Sequence, residues 1–388
     1  MIREMDYDPW ARMPARFRRA PDLAEAVSGN ERLALSHVWR SAGISRSALG
    51  ARLDLTQQSI HRIIAQLADR GLLILGDLEP PAYKGKPSPR LSINPRYACV
   101  AGISINTDSA GIAVMDFAGG VRTRSVPISD LTLQEGLARV GDVIAELRAE
   151  AGFTAEDLFG IGFAISGFVI EGSRYNPPEP LLHWSDVQLG PLLSEHFGLP
   201  VWTENGANTG AICEQMLGVG REIDNFVYLS FNYGFGAGII LDGELARGGF
   251  GNAGELSGMF TPAEMPHRPA LRSLLETLQA NGVDVSTIYD LSRQFEIKWP
   301  GVTEWLDRVE ACHNRILNVL SAVVDPEVVV FGGQIPRALA EALIARTVFW
   351  DQPRHGIRRR MPRLQVSEIG GETAAIGAAA MALKKGFF

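Results

Sequence analysis

The hydrophobic pattern near the start of the chain predicts three short helices followed by two strands. The clearest helical stripe has the i, i+3, i+4, i+7 spacing of one buried face and consists of Ile60, Ile63, Ile64 and Leu67. Thr56, a preferred N-cap residue, precedes this helix. Two shorter helical patterns come before it, one over 31–42 and one from Ser45, and two strand patterns follow, at 72–75 and 90–93. Three helices and a two-stranded hairpin in this order predict a winged helix-turn-helix domain.

The outer face of the third predicted helix carries side chains that can hydrogen-bond to base edges and phosphates. We expect five of them at the DNA: Gln57, Gln58, Ser59, His61 and Arg62. Between the two strands, Lys84 and Lys86 flank Gly85 and resemble a hook for the minor groove. The alternatives are that the three helices form a packing or dimerisation module, and that the lysine turn is an ordinary solvated loop.

From residue 99 onwards, strand and helix patterns alternate, which predicts an α/β domain. The segment 100–114 predicts two strands joined by a tight turn, and 137–149 predicts an amphipathic helix. Glycine-rich turns follow strand patterns at three places, around 160–167, 234–238 and 332–333. Backbone amides in such turns can lie close to a phosphate, although each turn alone is also compatible with tight packing.

Composition and charge indicate a globular chain with a basic head. The 388 residues are 46% hydrophobic and 21% charged, which is enough for two or three domains. Residues 1–96 carry 15 Lys and Arg against 10 Asp and Glu, whereas the remainder carries 22 against 34. A basic head on an acidic body suggests that the head meets a polyanion. We expect residues 1–29 to be a flexible basic arm, which is either a free tail or a contact to DNA phosphates.

The cysteines and the apolar runs indicate the compartment. Cys99, Cys213 and Cys312 are too widely spaced for a disulfide framework or a zinc site. The N-terminus has no apolar segment of the signal-peptide type, and no apolar run approaches the roughly 20 residues that span a bilayer. We therefore expect a cytoplasmic protein without a membrane partner.

The order of motifs in the body resembles the ROK family, named for repressors, open reading frames and kinases. The stretches that carry the resemblance are 203–208 (Thr-Glu-Asn-Gly-Ala-Asn), 236–243 (Gly-Ala-Gly-Ile-Ile-Leu-Asp-Gly), 254–255 (Gly-Glu), and 325–327 (Asp-Pro-Glu) ahead of 331–333 (Phe-Gly-Gly). The resemblance implies a two-lobed, actin-like ATPase fold of the sugar-kinase type over 97–388, preceded by the winged helix-turn-helix over 30–96. Its members phosphorylate sugars or regulate transcription, and the regulators carry this kind of head.

Departures from the family's kinase pattern imply that the body does not catalyse. The phosphate loop Asp-x-Gly-Gly-Thr of the kinases is replaced here by Ser104, Ile105, Asn106, Thr107 and Asp108. The catalytic Asp of Glu-Asn-Asp-Ala-Asn is Gly206, which cannot accept a proton. The zinc-binding His of Gly-Glu-x-x-His is Gly258, and no Cys lies between Cys213 and Cys312. We expect no catalytic residue, no cofactor and no metal.

Three polar residues match the family's sugar ligands, namely Asn205, Glu255 and Glu276. The glycines at 206 and 258 leave room for a different or bulkier effector than the family's hexoses. The alternative is that Glu255 and Glu276 are ordinary solvated or helix-capping carboxylates. Trp184, between the predicted lobes, either stacks on a sugar ring or packs in the core.

Together these features predict a DNA-binding transcriptional regulator, in the repressor mode that is commoner in the resembled family. The head binds double-stranded operator DNA, and the body senses a sugar or a sugar derivative. Two heads on a near-palindromic operator imply a homodimer or a homotetramer. Two alternatives stay open: a regulator whose body binds a protein partner or only dimerises, and an active sugar kinase with an accessory DNA-binding head.

Overall fold

The computed structural model describes residues 7–20, 25–79, 88–128, 131–185 and 187–388. The predicted hook residues Lys84 and Lys86 lie outside the described residues.

The head contains the three helices and the hairpin that the sequence predicts. Its elements are α1 (Gly29–Arg40), α2 (Arg46–Arg52), α3 (Gln57–Asp69), β1 (Leu73–Glu79) and β2 (Ser88–Ile93). Each helix begins after a hydroxyl N-cap, and the three caps are Ser28, Ser45 and Thr56. Each cap oxygen accepts a hydrogen bond from the backbone N–H three residues later, which satisfies a donor that the helix itself cannot pair. The apolar stripe of α3 is buried, as its spacing predicts.

The remainder of the chain forms two lobes. The first contains β3 (Cys99–Ile105), β4 (Ser109–Asp116), β5 (Val121–Pro127), α4 (Leu133–Glu150), β6 (Leu158–Ile165), β7 (Phe168–Glu171), β8 (Arg174–Asn176), α5 (Leu189–Phe197), β9 (Val201–Asn205) and α6 (Gly206–Leu217). The second contains β10 (Phe226–Phe231), β11 (Phe235–Leu241), β12 (Glu244–Leu245), α7 (Leu271–Ala280), α8 (Ile288–Gln294), α9 (Val302–Val323), β13 (Val328–Gly333), α10 (Arg337–Ala345) and β14 (Arg363–Val366). The last helix, α11 (Thr373–Phe387), returns to the first lobe.

The two lobes repeat one sheet topology. The strand order is β5-β4-β3-β6-β9 in the first and β12-β11-β10-β13-β14 in the second. In each sheet the central strand pairs antiparallel on one side and parallel on the other. Two sheets of the same topology, one in each lobe, form the two-lobed body that the motif order implies.

Two helices in contact with one another join the lobes. Helix α6 packs on β10 and β11, α11 packs on β3, β4 and β6, and the two helices pack on each other. Their contact is close because α11 consists mostly of small residues: a Cβ at Gly377 would overlap the Thr209 carbonyl. The glycine is therefore needed for backbone approach, because protein interiors leave no room for an added methyl group at such a contact.

The head packs on the end of α11. The Arg32 guanidinium of α1 donates to the carbonyl oxygens of Lys384 and Phe388 at 2.9 and 2.8 Å. Trp39, also of α1, donates from Nε1 to the Met216 carbonyl at 3.2 Å and lies 4.8 Å from the Phe388 ring, centroid to centroid. Buried side chains of the head and of α11 belong to one continuous hydrophobic cluster. The head is therefore packed against the body through a shared core.

Residues 7–20, which we call the N-terminal strap, differ from the expected flexible arm. Tyr7 Oη donates to the Val201 carbonyl at 2.8 Å and accepts from its N–H at 3.1 Å. Trp10 packs edge-on against Trp202 with ring centroids 5.4 Å apart, and Phe17 is fully buried. The prediction failed because these apolar residues are interrupted by prolines and have no helical or strand period, yet they bury against the body one by one.

Three of the four arginines of the strap have partners within the chain. Arg16 forms an ion pair with Asp157, and Arg18 donates to the Met13 carbonyl at 3.2 Å. The guanidinium of Arg19 lies 3.5 Å from the Glu31 carboxylate. These contacts give the three arginines structural partners. Their charge therefore does not require a DNA contact.

None of the helices in the part of the chain that the structure describes has the length and apolar character of a membrane-spanning segment.

Candidate functional site

The outward face of α3 presents the predicted DNA-contacting side chains. Gln57, Gln58, His61 and Arg62 are exposed, while Ile60 and its neighbours in the apolar stripe face the core. Ser59 is half-buried, and its hydroxyl accepts from Thr56 Oγ1 at 3.0 Å. Four of the five predicted side chains are thus free to reach a groove, whereas Ser59 also takes part in capping its own helix.

A turn after β6 contacts Asn205, one of the predicted effector residues, and Asn252 of the second lobe. Asn205 Nδ2 donates to the Gly167 carbonyl at 2.8 Å, and Asn205 Oδ1 caps α6 by accepting from Ala207 N at 2.7 Å. Asn252, in the loop before Glu255, pairs with both main-chain groups of Val169, at 2.7 and 2.9 Å. The turn at 167–169 is therefore held by Asn205 from one side and by Asn252 from the other.

Glu204 is a buried structural carboxylate beside this turn. It is 5% exposed, and it accepts from Asn208 Nδ2 at 3.0 Å and from the Arg247 guanidinium at 2.9 Å. Because Glu204 is held in an ion pair, it is not placed as a free proton acceptor that could replace the one missing at Gly206. Asn208 Oδ1 is buried and has no hydrogen-bond partner among the described residues. Such a group needs a donor from a water or a ligand.

The two predicted carboxylates, Glu255 and Glu276, lie in different local settings. Glu276 is exposed on α7 and pairs with Arg272 at 2.8 Å, an i,i+4 ion pair on a helix surface. Part of the Glu255 side chain is accessible to solvent. Partial desolvation raises the pKa of its carboxyl, and the Arg268 guanidinium opposes that rise. Arg268 in turn donates to Ser257 Oγ at 3.1 Å. Glu255 thus lies three residues after Asn252, which holds the turn at 167–169 between the lobes (the interlobe turn). Glu276 keeps the solvated alternative open.

Both Gly206 and Gly258 have room for a side chain. A Cβ at Gly206 would have the Ile165 carbonyl oxygen at 3.9 Å as its nearest neighbour, and one at Gly258 would have nothing within 4 Å. No steric reason therefore excludes the aspartate and histidine that the resembled kinases carry at these positions. Without the aspartate the site has no proton acceptor at 206, and without the histidine it has no zinc ligand at 258. No other side chain fills the space at either position.

A cavity of about 430 Å³ lies in the cleft between the lobes. Its lining includes Ser104 and Asn106 of the altered phosphate turn, and Glu368 and Glu372 beside α11. Burial raises the pKa of the Glu372 carboxyl, and the nearby Asp108 carboxylate raises it further. Carboxylates in this cleft oppose a triphosphate, because like charges repel at short range.

The remaining predictions for the site concern metals and Trp184. Among the described residues no group of three or more His, Cys, Asp or Glu side chains could hold a metal ion. Trp184 is 2% exposed and its ring packs 5.6 Å from that of Phe163. Trp184 therefore packs in the core, which was one of the two roles considered for it.

The duplicated five-stranded sheet, the paired helices between the lobes and the interlobe cleft define an actin-like kinase fold, here joined to a winged helix-turn-helix head. Residues 100–267 match the model of the ROK family. Over these residues the chain is similar to the ROK family.

The chain is similar to named relatives over much of its length. It is 29% identical to the xylose repressor of Caldicellulosiruptor bescii over 233 residues, which is 58% of this chain and 57% of the repressor. Its fold matches that of a ROK family transcriptional regulator, described as a homologue of the E. coli MLC protein, with a TM-score of 0.68 and 20% identity over 92% of this chain and 96% of that one. It also matches a ROK family glucokinase from Streptomyces griseus in complex with glucose and AMPPNP, with a TM-score of 0.58 and 20% identity over 73% and 99%.

Proposed function

We propose that this protein is a DNA-binding transcriptional repressor whose sugar-kinase-like body binds a sugar without phosphorylating it. The observation that carries the proposal is the exposed polar face of α3 in a winged helix-turn-helix head. The likeness to a xylose repressor supports both the DNA-binding role and the sugar-binding role, and it makes D-xylose the first effector to test. Assembly into a homodimer or homotetramer is part of the proposal, because a single recognition helix covers only one half-site of an operator.

A change in how the two lobes close would transmit effector binding to the DNA-binding head. Asn205 and Asn252 hold the same turn from opposite sides, so a sugar bound near Glu255 would change how the two lobes close. The N-terminal strap contacts β9 at Val201, four residues before Asn205. Closure of the lobes would therefore shift the surface on which the strap and head rest, which is the differential contact that allosteric coupling requires.

Replacing Arg62 by alanine is expected to weaken binding to a duplex selected from genomic DNA by the purified protein. A contact to a base edge is worth about 1–3 kcal/mol, which corresponds to about 5- to 150-fold in Kd. A contact to a phosphate would instead reduce the slope of log K against log salt by about one. Fluorescence anisotropy across a salt series measures both quantities.

The matched control for this experiment is Arg139→Ala, which removes an exposed arginine from α4 in the body. We expect its Kd and its salt slope to equal those of the unmodified protein. If Arg62→Ala also left both quantities unchanged, α3 would not be the recognition helix. Absence of any selected duplex would remove the DNA-binding function and favour the alternative in which the head is a packing module.

We also propose that the body is not a kinase, and Gly206→Asp tests this directly. An aspartate fits at this position because the nearest atom to its Cβ is 3.9 Å away. It would stand at the first residue of α6, where the helix dipole favours a carboxylate by about 0.3–1 kcal/mol. We expect unchanged or slightly higher thermal stability, and no sugar-dependent ATP turnover in a coupled assay, because the phosphate turn is altered as well.

Gly206→Asn serves as the isosteric control that lacks a carboxylate. Turnover in Gly206→Asp but not in Gly206→Asn would show that only the base is missing, and would contradict the proposal that the nucleotide cleft is inactive. Turnover in the unmodified protein would establish the kinase alternative.

A further inference from the structure

A cavity of about 260 Å³ lies where the head meets α6, α11 and the edge of the second sheet. Its basic lining residues come from three parts of the chain: Arg32 of α1, Arg247 after β12, and Lys384 and Lys385 in the last turn of α11. Glu244 of β12 is the carboxylate among its described lining residues. The cavity is thus lined by four basic side chains and one acidic side chain, on a chain whose net charge is −7.

Two of the four cations have carboxylate partners. Lys384 Nζ donates to Glu244 Oε2 at 2.9 Å and to Gln215 Oε1 at 3.2 Å. The Arg247 guanidinium lies 2.9 Å from Glu204 Oε2, a carboxylate that is buried outside the cavity lining. These pairs orient the walls of the cavity, and each nearly cancels its own charge.

Neither of the other two cations has an Asp or Glu carboxylate within ion-pair distance among the described residues. Arg32 donates to the main-chain oxygens of Lys384, Gly386 and Phe388. Burial lowers the pKa of its guanidinium, and the Glu25 carboxylate opposes that fall. Lys385 is solvent-accessible, and its ammonium has no hydrogen-bond partner in the described part of the chain. Burial of the ammonium lowers the pKa of Lys385 and the neighbouring Arg247 lowers it further, whereas the Glu204 carboxylate opposes this shift. Like charges that line one cavity repel one another, so an anion placed between them is stabilised.

We propose that this cavity binds a small phosphate-bearing metabolite. A guanidinium and an ammonium that converge on one space match the oxygens of a phosphate. Leu245, Met381 and Phe388 line the same cavity and offer apolar surface to a short carbon skeleton. The volume lies just under the roughly 300 Å³ at which sites for drug-sized ligands begin, which suits a ligand of a few carbon atoms.

The position of the cavity gives the ligand a regulatory consequence that rests on the proposed function. Arg32 belongs to the DNA-binding head, whereas Lys385 and Arg247 belong to the body. A phosphate that contacts all three would hold the head in the packed position seen in the structure. The ligand would therefore change DNA affinity by fixing the head, through a site separate from the sugar-binding turn.

The test uses the full chain and glycerol 3-phosphate as the probe, with inorganic phosphate, citrate and chloride as comparison anions at constant ionic strength. We expect glycerol 3-phosphate to raise the melting temperature in a saturable way, and Lys385→Gln to weaken that binding tenfold or more. Lys298→Gln, which removes an exposed lysine outside the cavity, is the matched control and is expected to bind like the unmodified protein. Arg62→Ala should also bind normally, which separates this site from phosphate contacts on α3.

A second measurement distinguishes binding from a structural role of the lysine. Without added anion, Lys385→Gln is expected to melt at the same or a higher temperature, since a like-charge contact is lost; a lower melting temperature would overturn the assignment. Equal stabilisation of Lys385→Gln and the unmodified protein, an effect no larger than that of chloride, or saturation by citrate alone would also overturn it.

DNA binding is measured separately, with and without glycerol 3-phosphate. We expect the probe to change the Kd of the selected duplex in the unmodified protein and not in Lys385→Gln. Because the thermal measurement contains no DNA, a protein that binds no duplex would contradict the proposed function and leave the result for the cavity standing.

Discussion

Replacing Phe17 by alanine is expected to lower the free energy of unfolding by about 3–5 kcal/mol, the usual cost of deleting a fully buried phenyl ring. The Phe17 side chain is 0% exposed, and its ring packs 5.3 Å from that of Phe159 and 5.9 Å from that of Tyr97, centroid to centroid. The deletion leaves a cavity between the N-terminal strap and the body that these surrounding rings cannot easily fill. Urea unfolding followed by tryptophan fluorescence measures the loss.

Phe250→Ala is the matched control, since it deletes the same side chain at a position that is 90% exposed. We expect this change to alter stability by less than about 0.5 kcal/mol, as is usual for surface sites. A loss for Phe17→Ala that is no larger than that for Phe250→Ala would mean that the strap does not pack on the body in solution. In that case the expectation of a flexible arm would be restored.

Binding of the sugar effector is the second large expected effect. A ligand at 100 times its dissociation constant adds about 2.7 kcal/mol to the stability of the folded state. We expect such a gain for at least one member of a panel of pentoses, hexoses, amino sugars, sugar acids and sugar phosphates, measured by thermal shift. Glu255→Ala should abolish the gain, because Glu255 lies three residues after Asn252, which holds the interlobe turn together with Asn205.

The chain offers a closely matched control for the second carboxylate. Glu276 and Glu341 each form an i,i+4 ion pair with an arginine, at 2.8 and 2.9 Å, and are 59% and 55% exposed. Glu276→Ala should reduce effector binding if Glu276 is a ligand, and Glu341→Ala should not. Equal behaviour of the two variants would assign Glu276 to the solvated surface. Silence across the whole panel, with DNA binding intact, would favour a body that responds to a protein partner.

Local sequence was sufficient to predict much of the head and the departures from the kinase pattern. The stripe of α3 and its cap Thr56 act over one or two helical turns, so residues close in sequence contain the information. The motif that ends in Gly206 is likewise continuous, and it identifies the missing proton acceptor without any distance being known. What the structure adds there is that the space is open, which only the surrounding backbone can establish.

Tertiary structure alone decided the strap and the interlobe turn. Tyr7 and Val201 are 194 residues apart, and no periodicity in either segment indicates that the phenol pairs with both main-chain groups of β9. Asn252 showed no motif of its own, yet it holds Val169 across the lobes. Contacts of this kind depend on how packed elements face one another, which the local alternation of polar and apolar residues does not specify.

The cavity between the head and α11 could not be predicted from local sequence either. Arg32, Arg247 and Lys385 are scattered over the chain, and each is an ordinary surface-type residue in its local sequence. The basic excess of the first 96 residues correctly indicated a charged head, but not that one of its arginines joins three cations of the acidic body. Net charge is a property of composition, whereas the field at a site depends on distance and burial, and those were decided only when the head packed on the end of α11.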